Sequence, residues 1–225
     1  MPLLAYLLHR NADVVPAEFV RHYGAVHSPL SVEAMPSQTS YAANVGREDG
    51  SGELGAVAAL AFVGFDDVGV LADPDRLYAN AELGERLNAD GAYLFSGMDG
   101  YVVEVASRWG GARTWPIGQP SPGVQRITLL ARARDLEPGD FRRRCEAALA
   151  TFAHAEDPAV LGGALSFVAD VVTPDAPALD AIVEVRYRTD DEMAERAPAV
   201  DAALADLVDP AATRCLIAEQ TIWID

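Results

Sequence analysis

Two of the chain's four histidines and a tyrosine fall within the segment FVRHYGAVHSPL, residues 19–30. A histidine near its ordinary pKa can take or deliver a proton at neutral pH. Tyr23 precedes His27 by four residues, one helical turn, so the two share a side of a helix and the phenol can hydrogen-bond an oxyanion formed by proton transfer. The same position also suits a structural histidine bonded to a backbone carbonyl, and the residues alone leave both readings open. His22 stands five residues before His27, about 140° around an α-helix, so a two-histidine chelate is not expected and no metal site is predicted. Tyr41 and Asn44 are three apart on a strand-like stretch and should face opposite ways, as should Tyr6 and His9. All four are candidates for substrate binding. Asn44 would polarise a substrate carbonyl or cap the end of its strand, and His9 could lie at the solvent edge. His154, in FAHAEDP, reads as a solvated loop residue.

The elements that must position these residues occur twice. LLHRNADVVPAEFVRHYGAV from Leu7 and LLARARDLEPGDFRRRCEAA from Leu129 share Leu-Leu, Arg, Asp, Pro, Phe, Arg and Ala at a constant displacement of 122. The same displacement carries Phe65 onto Tyr187, each closing an apolar strand-like run. Each copy reads strand, helix, strand, strand, helix, strand, which is the ferredoxin-like arrangement: a four-stranded antiparallel sheet with both helices on one face. In the first copy, Pro16 suits an opening helical turn and Glu18 the positive end of the helix dipole. Phe19, Tyr23, Val26 and Leu30 define a buried stripe on a helix expected to end near Ser28-Pro29. Strands TSYAANV and AVAALAFVGF, a helix over about 73–87 and a strand GYVVEV complete the unit. The Gly- and Pro-rich stretch RWGGARTWPIGQPSPG marks a boundary. The predicted organisation is therefore a first unit over 1–108, a linker over 109–123 and a divergent second unit over 124–225. The expected fold class is α+β, with two ferredoxin-like units packed sheet to sheet as an intramolecular pseudo-dimer.

The duplication also compares the two halves. His27 falls on Leu149 and Tyr23 on Cys145, whereas Arg10 is kept as Arg132. The candidate reagents are thus confined to the first half, and Arg10 is expected to serve the fold. Glu184 and Arg144 are the second half's own candidates for a different site.

Composition limits the chemistry. With 225 residues, half of them apolar, the chain can bury a sizeable core. A formal net charge of −17 without a basic stripe disfavours nucleic acid and anionic membranes as partners. All 17 basic residues are arginines, so the side chains cannot form a lysine Schiff base or anchor pyridoxal phosphate. Cys145 and Cys215 lie far apart with no ligand cluster, as expected of reduced structural thiols in a cytoplasmic protein. No stretch reaches the ~20 apolar residues of a membrane span. Neither a Gly-rich phosphate loop nor a Gly-x-Ser-x-Gly elbow occurs. A chain that covers its own sheet faces is expected to be a monomer, or a dimer through other surfaces.

The residues resemble the EthD-like branch of the dimeric α+β barrel superfamily. The likeness rests on an apolar strand ending in HR, on PAEFVRHYGAVHSPL, on PSQTSYAAN and on FDDVGVLADPDRLYANAELGERLNADGAYLF, covering residues 3–105 well and the second half weakly. It implies that His27 is the family's histidine. It also implies a cofactor-free enzyme on an aromatic or polyketide-like small molecule, a dehydratase or cyclase in which His27 is general acid or base, with a cofactor-free oxygenase and a non-catalytic small-molecule or haem-binding module as the alternatives.

Overall fold

The structure is a computed structural model, describing residues 2–50, 54–110, 114–153 and 157–225. The expectation for His154 lies outside the described residues. Among the described residues, eight strands form a closed antiparallel barrel: β1 (Leu3–Arg10), β2 (Gln38–Val45), β3 (Val57–Phe65), β4 (Phe95–Gly110), β5 (Val124–Leu130), β6 (Val160–Val171), β7 (Ala181–Tyr187) and β8 (Arg214–Ile224). Their order around the barrel is β1-β3-β2-β8-β5-β7-β6-β4. Each half therefore contributes a fourth-first-third-second run of strands. The halves meet through hydrogen-bonded edges, with Asn44 opposite Gln220 between β2 and β8 and Glu104 opposite Phe167 between β4 and β6. The sheets are thus joined at both edges, which leaves no row of backbone donors and acceptors unpaired.

The helices lie outside the barrel. In the first half they are α1 (Pro16–His22), a π-helical turn (Tyr23–His27), α2 (Ser28–Ala34), a 3-10 turn (Val68–Ala72), α3 (Pro74–Leu77) and α4 (Ala81–Leu94). In the second half they are α5 (Pro138–Ala153) and α6 (Asp190–Leu204). Of the four buried clusters among the described residues, a small one joins Leu30 and Ala34 of α2 to Leu87 of α4, and alternation along the strands sets the other three. Phe19 and Tyr23 pack on Ala61, Val63 and Phe65 beneath the first helices. Phe141, Cys145 and Leu149 pack on Phe167 and Val183 beneath the second. Ala5, Leu7, Leu60, Phe62, Ile127 and Leu216 fill the barrel interior. Burial raises the Cys145 thiol to about 12, and both cysteines are free.

Several boundaries differ from those expected. The first helix does not end at Ser28-Pro29 but continues to Ala34, because the π turn lets the Ser28 N–H reach the Tyr23 carbonyl, five residues back. Pro29, which has no N–H and whose ring would crowd an α-helical carbonyl four residues earlier, follows this widened turn. The extra residue shifts the helical phase, so Val26 is 43% exposed while Phe19, Tyr23 and Leu30 are buried. The helix expected over 73–87 is instead the short α3 and the longer α4, separated where the Asn80 side chain accepts from the Leu83 N–H and caps α4. The strand GYVVEV is the middle of β4, which starts at Phe95 and runs through Gly110 into the expected linker.

Arg10 and Arg132 make the same contact in the two halves. The guanidinium of Arg10 donates to the Val14 carbonyl and that of Arg132 to the Leu136 carbonyl, positions again 122 apart. Each pins the loop that leads from a strand into its helix. Among the described residues, no helix is long and apolar enough to cross a membrane.

Candidate active site

Between the outer face of the first half of the barrel and its helices lies a cavity of about 490 Å³. Tyr6 and Leu8 of β1, Tyr41 of β2 and Ala61, Val63 and Phe65 of β3 form its floor. Tyr23, His27, Ser31 and Met35 come from the first helical segment, Leu87, Asn88 and Gly91 from α4, and Tyr78 from the turn before α4. Tyr78 can lie close over α4 because residue 84 is glycine, where a Cβ would stand 2.7 Å from the Tyr78 ring.

His27 is held on three sides. Its Nδ1 lies 2.8 Å from Asp90 Oδ2, its ring centroid 5.1 Å from that of Tyr23, and the Phe95 ring meets it edge-on at 5.0 Å. Asp90 also takes the other histidine, with His22 Nε2 2.6 Å from Oδ1. This corrects the expectation that His22 and His27 point apart. In a π turn, residues five apart are hydrogen-bonded neighbours, so both rings reach one carboxylate. Since an ionised carboxylate only accepts, Nδ1 of His27 carries the proton and Nε2 remains as the basic nitrogen of a ring that lines the cavity. Burial lowers the His27 pKa, and the Asp90 hydrogen bond and charge oppose that shift without cancelling it. The imidazole is therefore neutral at pH 7, the form required of a base.

The phenols form a second, continuous element. Tyr23 Oη lies 3.0 Å from Tyr41 Oη, which lies 3.2 Å from Ser28 Oγ. Burial raises both tyrosines above their ordinary pKa, Tyr23 further because Tyr41 adds to it. They stay protonated and can act as donors. When Ser28 donates to Tyr41 and Tyr41 to Tyr23, the Tyr23 proton is left for an oxygen in the cavity.

The remaining expected residues separate. Tyr6 lines the cavity, with burial pushing its phenol to about 12. His9 does not line it and pairs with Asp99 at 2.7 Å. Asn44 is fully buried away from it, donating to the Leu60 carbonyl and accepting from Gln220, which ties β2 to β3 and β8. It neither polarises a ligand in this cavity nor caps a strand end. Asp90 and Phe95 were not singled out in the sequence. Asp90 stands 63 residues from His27, and only the i, i+5 geometry of the π turn shows that one carboxylate serves two histidines.

The lining also tests for haem and metals. A haem carries two anionic propionates, but the lining residues of this cavity include no arginine to take them. The site does not fit that group. Among the described residues, no set of His, Cys, Asp and Glu side chains is arranged to hold a metal ion.

A closed eight-stranded antiparallel barrel with helices outside and a histidine-carboxylate pair in a lateral apolar cavity is the class that the geometry defines. The sequence matches no family model and no curated protein. In three dimensions the whole chain is similar to an anthrone oxidase-like protein, at 9% identity and a TM-score of 0.67, covering 100% of this chain and 93% of that one. It is also similar to a candidate monooxygenase from Fusobacterium nucleatum, at 12% identity and a TM-score of 0.55, over 99% and 92% of the two chains. A candidate monooxygenase from Lactobacillus acidophilus gives 11% identity and a TM-score of 0.53 over 98% and 93%. At such identities the likeness establishes a shared fold and nothing further.

Proposed function

We propose that this chain is a small-molecule enzyme of the EthD-like branch, with His27 as general base on an acidic carbon beside a carbonyl of an aromatic or polyketide-like substrate. The observation that carries the reading is the Asp90-oriented, neutral His27 bordering an apolar cavity with two protonated phenols. Asp90 holds the imidazole so that Nε2 faces the reaction, Nε2 takes the proton, and Tyr23 donates to the enolate oxygen as charge develops there. Protonation of a leaving group by the resulting imidazolium completes a dehydration, and attack of the carbanion on a second carbonyl gives cyclisation. Units 1–108 and 124–225 are, in this reading, duplicated halves joined by the stretch 109–123, whose first two residues extend β4, and only the first half retains the reagents.

The likeness in fold to an anthrone oxidase-like protein and two candidate monooxygenases favours a second outcome from the same first step. The carbanion would then give up electrons to dioxygen and form a C–O bond to a peroxide; the peroxide takes the proton from His27 and loses water as its O–O bond breaks, leaving a new carbonyl, so that one oxygen atom enters the product and the other leaves as water. Turnover of a panel of aromatic polyketides in an oxygen-electrode cell separates the two, since stoichiometric oxygen uptake belongs to the oxygenase alone. In either outcome His27→Ala should lower turnover by roughly 10²-fold or more while the fold is retained. Full activity in a folded His27→Ala protein would dispose of the proposal.

A further inference from the structure

A second cavity, of about 370 Å³, occupies one end of the barrel interior. It lies on the other side of the same wall as the His27 cavity, and Tyr41 of that wall borders both. Phe62 of β3 faces inward to it while Ala61 and Val63 line the outer cavity. An eight-stranded barrel is just wide enough either to be filled by its own side chains or to hold one small ligand. At its other levels this interior is filled, by residues such as Leu7, Leu60, Ile127 and Leu216. At this end it is lined by polar and aromatic groups.

Those groups have unmet demands. Gln125 is 4% exposed, and its Nε2 donates to Glu184 Oε2 at 3.0 Å, but its Oε1 has no partner. The Nε–H of Arg186 and the indole N–H of Trp109 are likewise buried without an acceptor. Leaving buried polar atoms unmatched is unfavourable, and a ligand that matches them is recognised strongly for the same reason. The Arg186 guanidinium also stacks on the Trp115 ring at 4.3 Å, which fixes its plane at the edge of the cavity.

The charges favour an anion. Arg108 and Arg186 both line the cavity. Glu184 is raised by burial to about 7, so much of its charge is absent near neutrality, while Asp225 stands at the rim with an interaction of its own. Arg108 and Arg186 therefore bring their positive charge to a wall where the buried Glu184 carries a weakened negative one. Trp109, Trp115 and Phe62 supply flat apolar surface, and Gln125 Oε1 calls for a hydroxyl or N–H donor.

We propose that the barrel interior is a second binding site, separate from the His27 cavity, for a small planar aromatic carboxylate bearing a hydroxyl. Its carboxylate would bind Arg186 and Arg108, its ring would lie against the tryptophans, and its hydroxyl would donate to Gln125 Oε1.

The protein's three tryptophans give the test its location, because Trp109 and Trp115 line this cavity and none lines the other. Titrating the full chain with 4-hydroxybenzoate, by calorimetry and tryptophan fluorescence together, should give saturable binding with both signals on one curve. The neutral analogue 4-hydroxybenzyl alcohol should bind at least about tenfold more weakly, because it lacks the charge-assisted pair. Arg186→Gln should weaken 4-hydroxybenzoate by a similar factor, and His27→Ala should leave it unchanged. No saturable binding of 4-hydroxybenzoate, equal affinity for the neutral analogue, or loss of binding in His27→Ala would each overturn the assignment. The analogue comparison uses the unaltered protein and decides the matter if Arg186→Gln does not fold.

Discussion

Replacing Glu184 with glutamine should stabilise the protein at neutral and alkaline pH and change little in acid. Glu184 is 8% exposed on β7, and burial raises its pKa from 4.5 to about 7 although Gln125 donates to it and Arg108 and Arg186 lie near. The folded state therefore holds this proton more tightly than the unfolded chain. Between pH 4.5 and about 7 the folded protein binds more protons at this site, so ionising it costs stability that grows as pH rises. At about 1.36 kcal/mol for each pH unit, the full cost is about 3 kcal/mol. Glutamine is close in shape to the protonated acid, and its amide oxygen can keep the Gln125 hydrogen bond. The variant should match the parent in acid and be about 3 kcal/mol more stable at pH 8, of which all but about 1 kcal/mol accumulates above pH 5. For a domain of this size that corresponds to a Tm advantage of roughly 6 to 12 °C. Denaturant unfolding of both chains in parallel at several values from pH 5 to 8 measures the difference, and groups common to both, including His27, cancel. That window avoids the isoelectric region near 4.5, where the protein carries little net charge. Parallel stability curves, or a variant that loses stability at pH 8, would show that Glu184 is not a buried acid held near neutrality.

Three further outcomes follow from the packing. Because burial lowers the His27 pKa while Asp90 raises it, the acid limb of the rate profile should fall below the ordinary histidine value of 6.5, and Asp90→Asn should move it lower still. A pH-rate series on both proteins checks the direction, and a limb that rises in Asp90→Asn would contradict it. Leu149→Ala, at the buried position matching His27, should cost about 2 to 5 kcal/mol by denaturant unfolding while turnover at low temperature is retained. Gly84→Ala should lower Tm and alter KM more than kcat, since a methyl group there would stand 2.7 Å from a Tyr78 ring atom and displace that wall of the cavity; unchanged values of both would show that Tyr78 moves freely.

The sequence alone determined the strand and helix order of both halves, the equivalence of Arg10 with Arg132 and of His27 with Leu149, and the polar residues available. These are legible because apolar periodicity is local and because segments repeated at a constant displacement provide their own alignment. Tyr6, Tyr23, His27 and Tyr41 were recognisable as candidates by type and spacing, and they line one cavity. Only the tertiary structure decided the rest. The π turn is invisible to a 3.6-residue period, yet it turns Val26 outward, carries the helix past Pro29 and brings His22 and His27 onto Asp90. Asn44 and His9 are candidates by residue type, and alternation, which sets each opposite to Tyr41 or Tyr6, cannot say which face of a strand meets a cavity and which side chain meets a neighbouring strand. The interior site needs β4, β5 and β7 together: Arg108, Gln125 and Glu184 with Arg186 are distant in sequence and unremarkable singly. They converge because barrel closure points alternate side chains from every strand toward one axis.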